Sequence, residues 1–410
     1  MELVIEKINQ LKGNISVPGD KSISHRSLIL GSICQGETRV YNLLNSLDCL
    51  RTLECMQALG VKIELGQDNS VNIKGKGLYG LQEPKAILDV GNSGTTIRLL
   101  TGLLSGQNFY SVLNGDNSIR KRPMKRVVQP LRLMGADIWG REDGHFAPLS
   151  MKGSKLNSFQ YTLPIASAQV KSALLLAGLY ATGKTVISEP LSTRDHTERM
   201  LETMQGDIKI SSPEVKIKGG TELRSTDIFI PGDISSAAYF IAAASILRDS
   251  QIIIKQVGVN PTRTGIIEIL KKMGTKIDIL DYQIKSNEPR ADLKIGYSEL
   301  KGIEIKEEMV PLLIDELPLI AVVATQAQGK TLVSGARELR VKESDRIKAI
   351  VSELKKMGAD IEEEEDGFTV NGPTRLQGAV CESYPPPYLS HQGGGGAGRE
   401  KNYESGRKIH

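Results

Sequence analysis

The sequence has little of what several classes of protein require. Aromatic residues make up only 4% of its 410 residues, which leaves few platforms on which nucleic-acid bases could stack. Lys and Arg together number 52 against 48 Asp and Glu, and the resulting net charge of +4 is too balanced for a nucleic-acid binder. These shortages argue against a nucleic-acid partner.

Long hydrophobic runs are also missing. No stretch approaches the roughly 20 apolar residues of a membrane span, and the N-terminus has no apolar core typical of a signal peptide. We therefore expect a cytoplasmic protein without membrane contact. Its hydrophobic content of 40% is enough for two domains with sizeable cores.

Cysteines are few, and their spacing is uninformative for metals. The four residues Cys34, Cys49, Cys55 and Cys381 form no Cys-x-x-Cys or Cys/His pattern. The sequence therefore predicts reduced structural thiols and no metal site.

The most informative segment runs from Val17 to Arg26. It places a glycine turn, two cations and two serines directly before an apolar helix. A helix start presents unpaired N–H groups and a positive dipole end, so this pattern predicts an anion site, with Lys21 and Arg26 adding full charge. The alternative is that Ser22 or Ser24 only caps the helix.

An apolar helix opened by a polar segment recurs along the chain. Four further copies open near Asn92, Ser167, Gly232 and Asp315. A second pattern, a residue pair ending in glycine and followed by an Ile-containing strand, interleaves with the first at a spacing of roughly 70 to 85 residues. We predict five repeated units, each about strand-helix-strand-helix-strand-strand.

The repeat breaks after residue 380. A sixth apolar helix is due near residue 390, where the chain instead has three consecutive prolines and four consecutive glycines. Residues 381–410 lack apolar periodicity and are predicted to form an aberrant, disordered tail.

Two cation-rich segments stand apart from the helix starts. The first, 116–124, contains Arg120, Lys121 and Arg122 before Pro123, and the second, 337–346, places Lys342 and Arg346 four residues apart. On a helix, Lys342 and Arg346 would share a face. Taken singly, each segment is equally consistent with a solvated, ion-paired surface.

Taken together and in order, five motifs resemble the EPSP synthase family of enolpyruvyl transferases. They are residues 21–26, 91–95, 120–124, 167–169 and 340–346, and the resemblance covers about residues 1 to 380. It implies an α/β enolpyruvyl-transferase fold of two domains built from βαβαββ units, an inside-out α/β barrel, with the sixth unit incomplete here.

The resemblance also implies where the domains divide. Residues 1–20 plus 235–380 would form a discontinuous domain of units four to six. Residues 21–234 would form an inserted domain of units one to three. Helix N-termini from both domains would point into the cleft between them.

The activity implied is transfer of the enolpyruvyl group of phosphoenolpyruvate to the 5-hydroxyl of shikimate 3-phosphate, with release of phosphate. This step belongs to the shikimate pathway, which leads through chorismate to the aromatic amino acids. The partners would be these two small molecules, without a cofactor, and the family resemblance suggests a monomer. Two phosphates and two carboxylates in one cleft account for the number of cations.

Site residues follow from the same resemblance, position by position. Shikimate 3-phosphate would be held by Ser22, Arg26, Ser167, Gln169 and Arg194, and Lys342 would contact its ring oxygens or phosphate. Phosphoenolpyruvate would be held by Gly94, Arg122 and Arg346, with Asn92, Thr95 and Ala168 completing the substrate-binding set. Lys21 would lie between the two substrates.

Two carboxylates remain for proton transfer. The resemblance assigns Asp315 as the base near the 5-hydroxyl and Glu343 as the acid that protonates the methylene carbon. From the residues alone, a helix N-cap explains Asp315 better than a catalytic base does, and only the resemblance favours the base. Gly94 is the small residue that leaves space for the inhibitor glyphosate in this family.

The chain departs from the family at its end. The Asp-His-Arg motif that opens the sixth unit and the later lysine, which both serve phosphoenolpyruvate, are missing from 381–410. A frameshift near residues 383–385 would explain this, and we expect very low activity from this chain.

Two alternatives stay open. One is a non-catalytic remnant that binds shikimate 3-phosphate. The other is the related transferase acting on UDP-N-acetylglucosamine, whose loop carries a cysteine where this chain has Asp116.

Overall fold

The computed structural model describes residues 4–66, 68–342 and 344–382, and the predicted tail from residue 383 onward lies outside them. The strands are β1 Lys12–Ser16, β2 Gln35–Tyr41, β3 Lys62–Leu65, β4 Val71–Lys76, β5 Leu88–Asp89, β6 Tyr110–Asn114, β7 Asp137–Gly140, β8 Phe146–Lys152, β9 Gln160–Thr162, β10 Lys184–Ser188, β11 Ile208–Ser211, β12 Glu214–Lys218, β13 Ile228–Phe229, β14 Gln251–Gly258, β15 Lys276–Lys285, β16 Glu288–Gly296, β17 Glu304–Ile305, β18 Gly329–Val333, β19 Asp360–Glu364 and β20 Gly367–Gly372.

The helices alternate with these strands along the chain. They are α1 Lys21–Ile33, α2 Leu47–Ala58, α3 Gly94–Ser105, α4 Lys125–Leu133, α5 Arg141–Gly144, α6 Ala168–Gly178, α7 His196–Thr203, α8 Ile234–Ile246, α9 Gly265–Met273, α10 Val310–Leu313, α11 Leu317–Ala324 and α12 Arg346–Lys356.

The predicted repeat of α/β units is confirmed by the sheets. Among the described residues there are five four-stranded sheets, each with one parallel pair at one edge followed by an antiparallel hairpin. Their orders are β13-β2-β4-β3, β5-β6-β8-β7, β9-β10-β12-β11, β1-β14-β16-β15 and β17-β18-β20-β19. The repeated order follows from one strand-helix-strand-helix-hairpin unit used five times.

The chain crosses between the halves twice. β1 pairs in parallel with β14, while β13 returns to pair with β2, so the N-terminal strand belongs to a sheet formed far along the sequence. At the crossing, Asp20 N–H donates to the Pro231 carbonyl at 2.9 Å and Asp233 N–H donates to the Pro18 carbonyl at 2.8 Å.

Two separate hydrophobic clusters form the core. The first spans Ile23 to Ile230, and the second contains Val17 and residues from Ile234 to Val370. They support our proposed division into an inserted domain of 21–234 and a discontinuous domain of 1–20 plus 235–380. We refer to these as the first and second lobes.

Helix starts are fixed by side-chain caps. The Asp20 carboxylate accepts from the Ile23 N–H at 2.9 Å and begins α1, so the cap is Asp20 and the alternative of a cap by Ser22 or Ser24 is wrong. Ser93 caps α3 and Ser167 caps α6 in the same way. The first residues of α1, α3 and α6 line one common cavity.

No helix in the described ranges is long and apolar enough to cross a membrane.

Replacing Gly102 by alanine should destabilise the first lobe. The added Cβ would lie 2.1 Å from the Ala173 carbonyl oxygen, so α3 and α6 would have to separate. Overpacking of this kind costs about 1–3 kcal/mol, which urea unfolding would measure. Gly378→Ala is the matched control, because its Cβ would meet nothing within 4 Å, and equal stability of the two variants would contradict this packing.

Thiol labelling should distinguish the exposed Cys381 from the three buried cysteines. Burial raises the pKa of Cys34, and it raises the pKa of Cys49 and Cys55 to about 12, while Cys381 is exposed. At pH 8 we expect a chromogenic disulfide reagent to modify Cys381 rapidly and the other three only after denaturation. Rapid modification of all four thiols in the native protein would disprove this burial.

Candidate active site

A large cavity of about 1550 Å³ is lined by residues from both lobes. The starts of several helices reach it, among them those of α1, α3, α6, α8 and α11. Their contributions to the lining are Lys21, Ser22, Gly94, Thr95, Ser167, Ala168, Gln169, Asp233, Ser235, Glu316 and Pro318. Because a helix N-terminus carries a partial positive charge and free N–H groups, this convergence favours anions.

The first lobe supplies a cationic wall. Arg122 donates to the Asn92 side-chain oxygen and, at 3.1 Å, to the Ser118 hydroxyl. A Cβ on Gly94 would lie 2.8 Å from Arg98 Nη1 and 2.9 Å from Arg122 Nη1, so only glycine lets both guanidinium groups approach the start of α3.

Gln169 links two helix starts in this wall. Its carbonyl oxygen accepts from Arg98 Nη1 at 2.8 Å, and its amide donates to the Thr95 hydroxyl at 3.1 Å. The first residues of α3 and α6 are thereby held together.

Ion pairs span the lobes at Asp315. This carboxylate pairs with Arg194 from the first lobe and accepts from Arg346 Nη1 of the second at 3.1 Å. Burial by itself raises the pKa of Asp315, but the positive charges of Arg194, Lys342, Arg263 and Arg346 outweigh burial and hold that pKa well below its ordinary value. Asp315 is therefore ionised at neutral pH.

Lys21 is held by a carboxylate from the same lobe. Its ammonium forms an ion pair with Asp48 at the start of α2, and its backbone N–H donates to Asp233 at 3.4 Å. Lys21 and the two arginines at Asp315 are therefore positioned by acidic neighbours, and an anionic ligand would exchange with these ion pairs.

Arg26 lies behind the wall of the cavity. Its side chain is 3% exposed, and it donates to Thr197 Oγ1 at 2.6 Å, to Ser172 Oγ at 2.7 Å and to the Ser22 carbonyl at 2.9 Å. It is absent from the residues that line the cavity. In this structure Arg26 therefore supports the start of α1 from beneath, through protein acceptors that take three of its five N–H donors, and its direct contact with a ligand stays a prediction.

The structure brings the other described candidates to one cavity, and Glu343 lies outside the described residues. Those lining it are Lys21, Ser22, Asn92, Gly94, Thr95, Arg122, Ser167, Ala168, Gln169, Arg194, Asp315, Lys342 and Arg346.

Two local expectations are wrong although the residues concerned line the cavity. Lys342 and Arg346 do not share a helix, because a 3-10 helix ends at Val341 and α12 begins only at Arg346, capped by Asp345. Asp315 does not cap α11, since Glu316 holds that position and makes no side-chain cap. The Asp315 carboxylate therefore pairs with arginines and not with the N–H groups of α11.

Several charged lining residues were missed by the sequence analysis. They include Asp48, Arg98, Arg126, Arg263 and Glu316. Arg98 follows Gly94 by one helical turn, so its helical spacing could have identified it. Arg263 lies in a loop before α9, where no periodicity points to the cavity.

The described residues contain no group of three or more His, Cys, Asp or Glu that could hold a metal ion.

The fold and the cavity define an enolpyruvyl transferase. The structure of the enolpyruvyl transferase NikO from Streptomyces tendae superposes with a TM-score of 0.72, covering 89% of this chain and 83% of that one, and at 16% identity this likeness concerns the fold alone. A crystal structure of EPSP synthase from Acinetobacter baumannii gives a TM-score of 0.81 at 48% identity, covering 89% of this chain and 82% of that chain.

The sequence narrows this class to one family. The family model for EPSP synthase (3-phosphoshikimate 1-carboxyvinyltransferase) matches residues 5–385. Relatives named 3-phosphoshikimate 1-carboxyvinyltransferase include those of Bacillus velezensis, 52% identical with 92% of this chain and 87% of the relative covered, and Desulforamulus reducens, 50% identical with 94% and 90% covered. The chain belongs to the EPSP synthase family.

Replacing Asp315 by asparagine should lower stability in a pH-dependent way. A carboxylate whose pKa is depressed on folding contributes stability above its unfolded pKa of about 4, and this contribution is lost as the pH falls toward the native pKa. We expect a loss on the order of 1 kcal/mol in urea unfolding at pH 7 and a smaller loss at pH 3. A loss independent of pH would contradict the ion pairs with Arg194 and Arg346.

Proposed function

We propose that this chain transfers the enolpyruvyl group of phosphoenolpyruvate to the 5-hydroxyl of shikimate 3-phosphate, giving 5-enolpyruvylshikimate 3-phosphate and phosphate. The observation that carries the proposal is the single cavity in which helix starts and cations of both lobes meet, in a chain about half identical to relatives named for this reaction. The protein would act in the cytoplasm as a monomer.

The cavity suits the charges of these substrates. The first-lobe wall of Gly94, Arg122 and Asn92 offers backbone N–H groups and a guanidinium to phosphoenolpyruvate, and Arg346 approaches from the second lobe. Shikimate 3-phosphate would meet Ser22, Ser167, Gln169 and Arg194 at the starts of α1 and α6, with Lys342 opposite.

Lys21 is suited to serve both substrates. Lys21 is the first residue of α1, its ammonium pairs with Asp48, and it lines the same cavity as both groups of proposed anion ligands. A single ammonium there can donate to the reacting hydroxyl and to the phosphate that leaves.

The reaction has two stages, an addition and an elimination. In the first, the 5-hydroxyl oxygen bonds to C2 of phosphoenolpyruvate as its proton passes to a base, the C2–C3 double bond opens, and C3 takes a proton from an acid, the role that the family resemblance gives to Glu343. In the second, C3 returns a proton to that group, the double bond forms again, and the C2–O bond to phosphate breaks. We assign Asp315 as the base, because it is the carboxylate that both lobes hold in the cavity.

Ligand binding would prepare Asp315 for this role. In the free protein the positive charges of Arg194, Lys342, Arg263 and Arg346 depress its pKa, which makes it a weak base. An incoming phosphate would compete for Arg194, and loss of that partner together with a nearby negative charge would raise the pKa of Asp315.

The primary test is phosphate release from the purified chain with both substrates, with each omitted in turn. We expect release only when both are present. Binding of shikimate 3-phosphate without release would indicate a non-catalytic protein, and failure of either substrate to bind would overturn the proposal.

Asp315→Asn should lower kcat by about 10²- to 10⁴-fold with a smaller effect on the KM of shikimate 3-phosphate, because general-base catalysis contributes that much. Asp360→Asn is the control, since this exposed carboxylate on β19 contacts only Asn371 among the hydrogen bonds of the described residues. Wild-type turnover in Asp315→Asn would remove Asp315 from the mechanism.

Gly94→Ala should selectively weaken the binding of phosphoenolpyruvate. The new Cβ would displace the Arg98 and Arg122 guanidinium groups from the start of α3. We expect the KM of phosphoenolpyruvate to rise about tenfold, equivalent to about 1.4 kcal/mol, with the dissociation constant of shikimate 3-phosphate unchanged. Equal losses for both substrates in steady-state kinetics and calorimetry would contradict this separation of the anion sites.

A further inference from the structure

The first turn of α7 contacts both lobes, and neither the family motifs nor the mechanism above uses it. This turn begins at His196, two residues after Arg194, whose guanidinium reaches the cavity. His196 is 1% exposed, so it is a buried titratable side chain outside the proposed chemistry.

The second lobe contacts this turn through a buried carboxyl group. Glu288 opens β16, is 4% exposed, and its Oε1 lies 2.8 Å from His196 Nδ1. The contact is a hydrogen bond between a buried imidazole nitrogen and a buried carboxyl oxygen.

A second contact runs beside the first. The Asn260 amide donates to Asp195 Oδ1 at 2.6 Å and to Glu288 Oε2 at 3.2 Å. We call these four residues, Asp195, His196, Asn260 and Glu288, the latch. Two of its members belong to each lobe.

The opposite side of the same turn holds residues of the first lobe. Thr197 Oγ1 accepts from Arg26 Nε at 2.6 Å, and Arg26 in turn supports the Ser22 carbonyl. Glu198 pairs with the buried Lys171 at 2.7 Å. Consecutive residues of one helical turn therefore join the second lobe to the supports of the ligand groups.

We propose that the latch is a positioning device that couples the placement of the two lobes to the placement of Arg194, and that Glu288 and His196 are positioning residues for shikimate 3-phosphate. This inference rests on the proposed function, because Arg194 is assigned there to that substrate. Arg194 also pairs with Asp315 of the second lobe, so one short segment spans the lobes at the latch and at the cavity.

Burial of polar groups at the latch favours positioning over stability alone. Removing a carboxylate from water is costly, and its pairing with a partner often only offsets that cost. The pair does specify geometry, since the His196 ring and the Asn260 amide must both meet one carboxylate.

The test compares Glu288→Ala and Glu288→Gln in the wild-type and Arg194→Ala backgrounds, by steady-state kinetics and by calorimetry with shikimate 3-phosphate. Glu202→Gln is the control, because its carboxylate accepts only from the Asn287 side-chain amide among the hydrogen bonds of the described residues. We expect Glu288→Ala to raise the KM and Kd of shikimate 3-phosphate about tenfold, with kcat and the KM of phosphoenolpyruvate changed less than about threefold.

Glu288→Gln keeps the side-chain volume and one acceptor for His196, so it should fold and raise the same KM about two- to fivefold. It serves as the test if Glu288→Ala does not fold. A merely structural role would lower the active fraction, and thus the apparent kcat, without moving the KM or the Kd.

The double-mutant cycle with Arg194→Ala tests whether the latch acts through Arg194. If the latch acts through Arg194, either Glu288 variant adds little further loss once Arg194 is removed. Additive losses, or an unchanged KM in both Glu288 variants, would overturn the latch while leaving the proposed function intact. Failure of the wild-type chain to bind shikimate 3-phosphate would instead overturn the proposed function and this inference with it.

Discussion

The ion pairs at Asp315 are the contact on which the rest of the site depends. Arg194 of the first lobe and Arg346 of the second meet on this one carboxylate, so the free protein already joins its two lobes at the point where substrates are proposed to bind. The same contact orients the two arginine side chains toward the place where the ligand is proposed to bind. A ligand with more negative charge than one carboxylate can replace Asp315 as their partner, and Asp315 then becomes available as a base.

The repeated unit explains how so many charges reach one cavity. Each unit places an apolar helix beside its sheet, and the starts of α1, α3, α6, α8 and α11 reach the same cavity, all but that of α11 with a side-chain cap. Helix dipoles and free N–H groups alone favour anions, and the cations near each start add selectivity for phosphate and carboxylate. Arg26 shows that a cation can also serve from behind this wall, by holding the backbone of Ser22.

Much of this organisation could be predicted from the sequence, because it depends on local patterns. Polar segments before apolar helices identified the starts of α1, α3, α6 and α8, and the glycines after the second helices identified the hairpins. Lys342 and Arg346 were placed on one helix because their spacing of four fits a helix, but the Asp345 cap starts the helix only after Lys342. Spacing alone does not say where a cap interrupts a charged run.

Contacts between the two lobes could not be predicted from the sequence. Arg263 comes to the cavity from a loop, and Glu288 reaches His196 from a residue 92 positions away in sequence. No periodicity encodes such pairs, since they follow from the double crossing of the chain at Asp20 and Asp233. The roles of the site residues came from resemblance to a family, whereas their convergence came from the fold.

The most direct measurement of the central claim is the pKa of Asp315 in the free protein and in the presence of shikimate 3-phosphate, observed by carboxyl 13C NMR with Asp315→Asn to assign the resonance. Our account predicts a pKa well below the ordinary value in the free protein, because of Arg194 and its neighbours, and a clear rise when the ligand takes Arg194. A pKa that stays low or falls further on binding would contradict the exchange of partners at Asp315.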